Sequence, residues 1–188
     1  ASEVIDLCIR REDIFCIRGN HDRNFIESIY NESLMEKFTI KYGSAYWRTR
    51  DQLSKTQINW LQDLPRKLTT KVDDIRLTIA HGSVCDEDKY IYPDAPTFQL
   101  IEQISDSDVT VLGHTHHSFI WCKDNKYLLN PGSVGQPRDQ SSLASILVFD
   151  TSNRAVLPYK VSFSFDRLKN DIWRFDQNNS YLINVLEK

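Results

Sequence analysis

The five histidines of this 188-residue chain fall in three short segments, and five of its six glycines lie in those segments or in a fourth. The segments are Gly19-Asn20-His21-Asp22, His81-Gly82, Gly113-His114-Thr115-His116-His117 and Gly132-Ser133-Val134-Gly135; only Gly43 stands apart. Residues that permit sharp backbone turns therefore occur together with residues that bind metals or move protons. Each segment follows a short apolar run, at residues 14–17, 75–79, 109–112 and 126–129, and each run reads as a strand. Polar groups just past the carboxyl ends of adjacent strands converge on one rim of a sheet, where α/β proteins place their ligands.

The rest of the chain supplies helices and two hairpins. Helical spacing covers residues 3–11 and runs from 23 to about 38 through Phe25, Ile26, Ile29, Tyr30 and Leu34. Ser54, with Gln57 three residues on, forms a capping-box signal for a helix that stops before Pro65. Residues 97–105 read as a short helix. Residues 119–122 and 126–129 read as strands around Lys123-Asp124-Asn125. Residues 143–150 and 155–165 read as a hairpin turning at Thr151-Ser152-Asn153, and closing helices are expected over 166–175 and 181–186. There is no internal repeat or Pro/Gly-rich linker. One domain over 1–188 is expected, with a helical, cap-like segment at about 23–66.

Composition removes several classes. With 40% hydrophobic and 26% charged residues the chain is neither disordered nor fibrous. A net charge of −3 leaves no electrostatic footprint for broad nucleic-acid or membrane-surface binding. No apolar run approaches the roughly 18 residues of a membrane span, and residues 1–12 lack a signal-peptide layout. Cys8, Cys16, Cys85 and Cys122 share no C-x-x-C spacing and read as reduced, mostly buried thiols of a cytoplasmic protein. A homo-oligomer is compatible with all of this.

Asn20, His21, Asp22, His81, His114 and His116 combine imidazole nitrogens with oxygens. That donor set suits divalent Mn, Fe, Zn or Ni and not soft thiolate chemistry. A carboxylate beside an imidazole, as in His21-Asp22, can fix its tautomer and raise its basicity. A histidine near metals but not bound to one can protonate a leaving group. Gly132-Ser133-Val134-Gly135 can offer amide N–H groups and a hydroxyl to an anion, and Arg138 can clamp phosphate oxygens.

In these motifs, taken in order, the sequence resembles the calcineurin-like metallophosphoesterase superfamily: Gly19-Asn20-His21-Asp22, His81-Gly82, then Gly113-His114-Thr115-His116. The run Asn130-Pro131-Gly132-Ser133-Val134-Gly135-Gln136-Pro137-Arg138 resembles its small prokaryotic phosphodiesterase or diadenosine-tetraphosphatase-like branch. The resemblance implies a two-sheet α/β sandwich and hydrolysis of a phosphodiester, nucleotide or phosphomonoester at a site of two divalent metal ions, Mn²⁺ foremost. It implies that Asn20, His81 and His114 hold one ion and that His116 belongs to the other. His21 would face the phosphate and leaving group with Asp22 orienting it, and Ser133 and Arg138 would contact the substrate. Water activated by the ions, its pKa lowered toward about 7, would attack phosphorus in line. Tyr46, Trp47, Arg48 and Arg50 are candidates to touch the leaving group.

The family also carries an Asp-x-His on its first strand and a Gly-Asp-x-x-Asp after its second, and this sequence has neither. Both are expected in a βαβ-sized stretch, about 30 residues or more, upstream of Ala1. A chain without them would instead be a non-catalytic binding or scaffold protein of the same fold, or a single-metal hydrolase using Asn20, His81 and His114 alone.

Overall fold

The computed structural model describes residues 1–104, 106–139, 143–179, 182 and 184. Contacts group the chain into two compact units. The first is Ala1–Pro65 with Phe165–Asn184, and the second is built on Arg66–Ser164.

The first unit is helical. It contains α1 (Ser2–Arg10), α2 (Asn20–Ile29), α3 (Glu32–Tyr42), α4 (Ala45–Gln52) and α5 (Lys55–Asp63), and later in the chain Asp166–Phe175. Ile5, Phe25, Met35, Tyr46, Leu53 and Leu61, one or more from most of these elements, form its core. The expected capping box is present: Ser54 N–H donates to Gln57 Oε1 at 2.9 Å, and Gln57 N–H to Ser54 Oγ at 3.3 Å. Gln57 Nε2 then donates to Asp6 Oδ1 at 2.7 Å and to Ser2 Oγ at 2.8 Å, which ties α5 to α1.

Two sequence expectations fail here. Residues 14–17 form no strand, because no neighbouring strand among the described residues supplies partners for their backbone. The single helix expected over 23–38 is two helices. Asn31 interrupts it and caps α3, accepting from Leu34 N–H through Oδ1 at 3.1 Å.

The second unit is a mixed α/β sandwich. Its strands are β1 (Lys67–Val72), β2 (Ile75–Ala80), β3 (Val109–Val111), β4 (Phe119–Lys123), β5 (Lys126–Asn130), β6 (Ala144–Phe149) and β7 (Val156–Val161), with α6 (Thr97–Gln103) between β2 and β3. The five-stranded sheet has the order β1-β2-β3-β5-β4, and β6 pairs with β7 in a second sheet. β2, β3 and β5 are mutually parallel neighbours, whereas β1 and β4 run antiparallel at the edges. Alternation sorts the side chains. Ile75, Val109 and Leu129 face Leu147, Phe149 and Val156 of the second sheet. Ala80, Leu112 and Leu128 face Leu100 and Ile104 on the α6 side. Asp124 and Asn125 take φ of 49° and 60°, the left-handed pair that a two-residue hairpin turn requires.

Strand β1 was not evident from the sequence, since its side chains alternate between exposed and half-buried at a sheet edge. The helix expected over 181–186 lies largely outside the described residues. All four cysteines are free, but Cys85 and Cys122 are exposed, against the expectation of mostly buried thiols. Cys122 sits on edge strand β4, where the sheet leaves a face open. Among the described residues no helix is long and apolar enough to cross a membrane.

Candidate metal centre

Because β2, β3 and β5 are parallel and adjacent, their carboxyl ends share one rim of the second unit. His81 follows β2, His114 and His116 lie just past β3, and Asn130 ends β5. The ladder extends past the strands. Gly113 N–H donates to His81 O at 2.8 Å, and Leu112 N–H to Leu129 O at 2.8 Å. The loops that carry the histidines are thereby registered against one another before any side chain acts.

His81 Nε2 and His114 Nδ1 stand 3.1 Å apart, with ring centroids at 4.9 Å. Two imidazole nitrogens bound to one ion at about 2.0–2.1 Å, with tetrahedral to octahedral angles, would be about 2.9–3.4 Å apart. The pair therefore fits two positions around a single divalent ion. His116 is hydrogen-bonded through one ring nitrogen. Its Nδ1 lies 2.7 Å from Gln136 O, so Nδ1 carries the proton and the Nε2 lone pair stays available. Burial pushes the His116 pKa down, only partly opposed by that hydrogen bond, so the ring is neutral at pH 7. Among the described residues no group of three or more His, Cys, Asp and Glu could hold a metal ion. His81 and His114 are two donors, one short of such a group.

The loop geometry is strained. His114 and His116 both have positive φ, 62° and 61°, a conformation that L-residues with side chains rarely adopt. Asn130, with no exposed surface, holds it. Its Nδ2 donates to Gly113 O at 2.8 Å and to Thr115 Oγ1 at 3.1 Å, and its Oδ1 accepts from Gly132 N–H at 2.9 Å. Gly132 is itself at φ 83°, and a Cβ there would come within 2.9 Å of Ser145 Cβ. Asn130 carries no assigned role in the motif run that contains it. Its signal was an amide at the carboxyl end of a buried strand, directly before Pro131. Ser133 Oγ accepts from Gln136 N–H at 3.0 Å and so shapes the same turn, while Arg138 is exposed and its N–H donates to His116 O at 3.3 Å.

The first unit carries Asn20, His21 and Asp22 at the start of α2. Asp22 Oδ2 accepts from Gly19 N–H at 2.8 Å, closing the helix start, and burial raises the Asp22 pKa above its ordinary value. His21 Nδ1 shares a 2.8 Å hydrogen bond with Tyr46 Oη. Burial raises the Tyr46 pKa far above pH 7, so the phenol keeps its proton. Tyr46 belongs to the helical core and supports His21 from there. Of the other candidates to touch a leaving group, Arg50 lies over the Trp47 ring at 4.2 Å and Arg48 over the Phe175 ring at 4.0 Å.

A family model for the calcineurin-like phosphoesterase superfamily domain matches residues 1–154, and the chain belongs to that superfamily. An uncharacterised protein of Methanocaldococcus jannaschii is 26% identical over 184 residues, which cover 88% of this chain and 72% of that protein. The crystal structure of a hypothetical protein from Pyrococcus horikoshii superposes with a TM-score of 0.80 at 19% identity, covering 98% of this chain and 76% of that one. That of a metallophosphoesterase from Sphaerobacter thermophilus gives 0.74 at 20% identity, covering 99% and 81%. The two structures share this fold.

Proposed function

We propose that the chain hydrolyses a phosphoester with the help of two divalent metal ions, Mn²⁺ the first choice. Membership of the calcineurin-like phosphoesterase superfamily supports phosphoester hydrolysis. The observation that carries the metal reading is the 3.1 Å approach of His81 Nε2 and His114 Nδ1 on one strand rim. When bound, the ions would supply Lewis acidity and an activated water.

The chain's own residues have separate tasks. His81 and His114 offer two lone pairs to one ion. His116, its proton fixed on Nδ1 by Gln136 O, offers Nε2 to the other. His21, held by Tyr46, has the acid–base chemistry of a proton donor. Asp22 keeps the turn that presents His21, and Ser133 with Arg138 receives the phosphate oxygens.

The test is hydrolysis of bis(p-nitrophenyl) phosphate with Mn²⁺, with and without a chelator. The expected result is chelator-sensitive turnover that falls at least about 100-fold in His81→Ala and in His21→Ala. Absence of turnover in every divalent metal, or full turnover in both variants, contradicts the proposal. The first of those results, with less than one tightly held ion per chain, is the behaviour of a scaffold protein.

A further inference from the structure

Between β2 and α6 the chain runs from His81 to Pro96 without regular structure, yet it is firmly held. Ser83 N–H donates to Asp86 O at 2.7 Å, and Ser83 Oγ accepts from Asp86 N–H at 2.9 Å. Gly82 is pressed against this turn so closely that a Cβ would lie 2.5 Å from Glu87 O. Ile91 then plugs the core at 1% exposure. Its neighbours Tyr90 and Tyr92 are 47% and 38% exposed.

These two tyrosines form an ordered pair beside the histidines. Their rings are nearly parallel, at 11°, with centroids 5.8 Å apart. Tyr90 lies against the His114 ring at 4.0 Å, and Tyr92 meets His117 edge-on at 5.4 Å. Scattered exposed aromatics need no explanation. A parallel pair set by a buried anchor and adjoining two imidazoles is different. It is a preorganised pair of parallel rings one ring away from the proposed ion, with one face of Tyr90 covered by His114 and Tyr92 at its outer end. Exposed aromatic faces stack rings without regard to their edges.

We propose that Tyr90 and Tyr92 are specificity-determining residues that stack a flat aromatic group on the phosphoester, a nucleobase or an aryl ring, so that the substrate class is nucleotide-like or aryl and not purely aliphatic. This rests on the phosphoesterase reading of the same rim. A phosphate held at His81 and His114 has its substituent within reach of Tyr90, and Tyr92 continues the surface outward.

The test is calorimetric binding of AMP, phenyl phosphate, ribose 5-phosphate and adenosine to the wild type, Tyr92→Leu and Tyr92→Phe. Wild type is expected to bind AMP roughly ten-fold or more tighter than ribose 5-phosphate. Tyr92→Leu should bring that ratio toward one with ribose 5-phosphate affinity nearly unchanged, and Tyr92→Phe should preserve it. AMP well above phenyl phosphate identifies the group as a nucleobase, whereas equal affinities identify a general aryl site. A wild-type ratio within two-fold, readable even if a variant does not fold, overturns the proposal, as does a ratio unchanged in Tyr92→Leu. Adenosine separates the two readings. Binding that depends on Tyr92 without any metal-dependent hydrolysis retains the stacking surface and rejects the phosphoesterase reading. Hydrolysis with no ring preference does the reverse.

Discussion

Asn130 shows how one side chain can fix a site without touching its chemistry. With no surface exposed, it satisfies Gly113 O, Thr115 Oγ1 and Gly132 N–H together. Asn130→Ala would leave buried backbone groups unpaired and is expected to cost about 2–5 kcal/mol in chemical unfolding. A loss under 1 kcal/mol would mean that the strained histidines are held in another way. Asp108 makes a pH-dependent case. Its carboxylate accepts from Arg76 N–H at 2.9 Å and from Arg154 at 3.3 Å, and those bonds lower its pKa below the ordinary carboxylate value. The stabilisation is therefore present above the unfolded-state pKa and is lost as pH falls through the folded one. Asp108→Asn should lower the melting temperature at pH 7, by an amount worth less than about 1 kcal/mol because the pair is solvent-screened. The gap to wild type should narrow as pH falls below the ordinary carboxylate value and through the lowered one, and a gap that does not depend on pH contradicts this. The histidines themselves were legible in the sequence, since few residue types do their chemistry. The supporting roles of Asn130 and Tyr46 were not, because hydrogen-bonded supports look like ordinary loop and core residues until their partners are in place.

Strand periodicity was legible where a strand has two distinct faces. Ile75, Leu77 and Ile79 alternate with polar residues and form β2, and both hairpins turn where Asp124-Asn125 and Ser152-Asn153 break the pattern. β1 gave no such signal, because its outward residues meet solvent on a sheet edge. Residues 14–17 gave a false one. An apolar run records a preference for burial but not the presence of a strand to pair with. Between elements, the connection from β2 to α6 is set by close packing. Adding a methyl group in Gly82→Ala forces Cβ toward Glu87 O at 2.5 Å, against backbone that cannot rotate aside. It is expected to destabilise by about 1–3 kcal/mol and to loosen the segment around Tyr90 in hydrogen exchange. Unchanged stability would show that the turn from Ser83 to Asp86 has room to move.

Across the molecule, each compact unit has its own apolar core, and the chemistry-bearing motifs are divided between them: Asn20, His21 and Asp22 in the first, and His81, His114 and His116 in the second. The order of the motifs made the superfamily legible from sequence, and the family match over residues 1–154 agrees. The sequence marked a helical, cap-like segment ending at about residue 66, close to Pro65. It held no signal that residues 1–22 and the helix at Asp166–Phe175 group with it, because no linker or composition change sets them apart. The most direct test of the central claim, that His81 and His114 share a divalent ion, is anomalous X-ray scattering from crystals of this chain soaked in Mn²⁺. A manganese peak within about 2.0–2.4 Å of a nitrogen of both rings is the predicted result. Crystals that bind manganese elsewhere, or not at all, with the two imidazoles still bonded to each other, would contradict it.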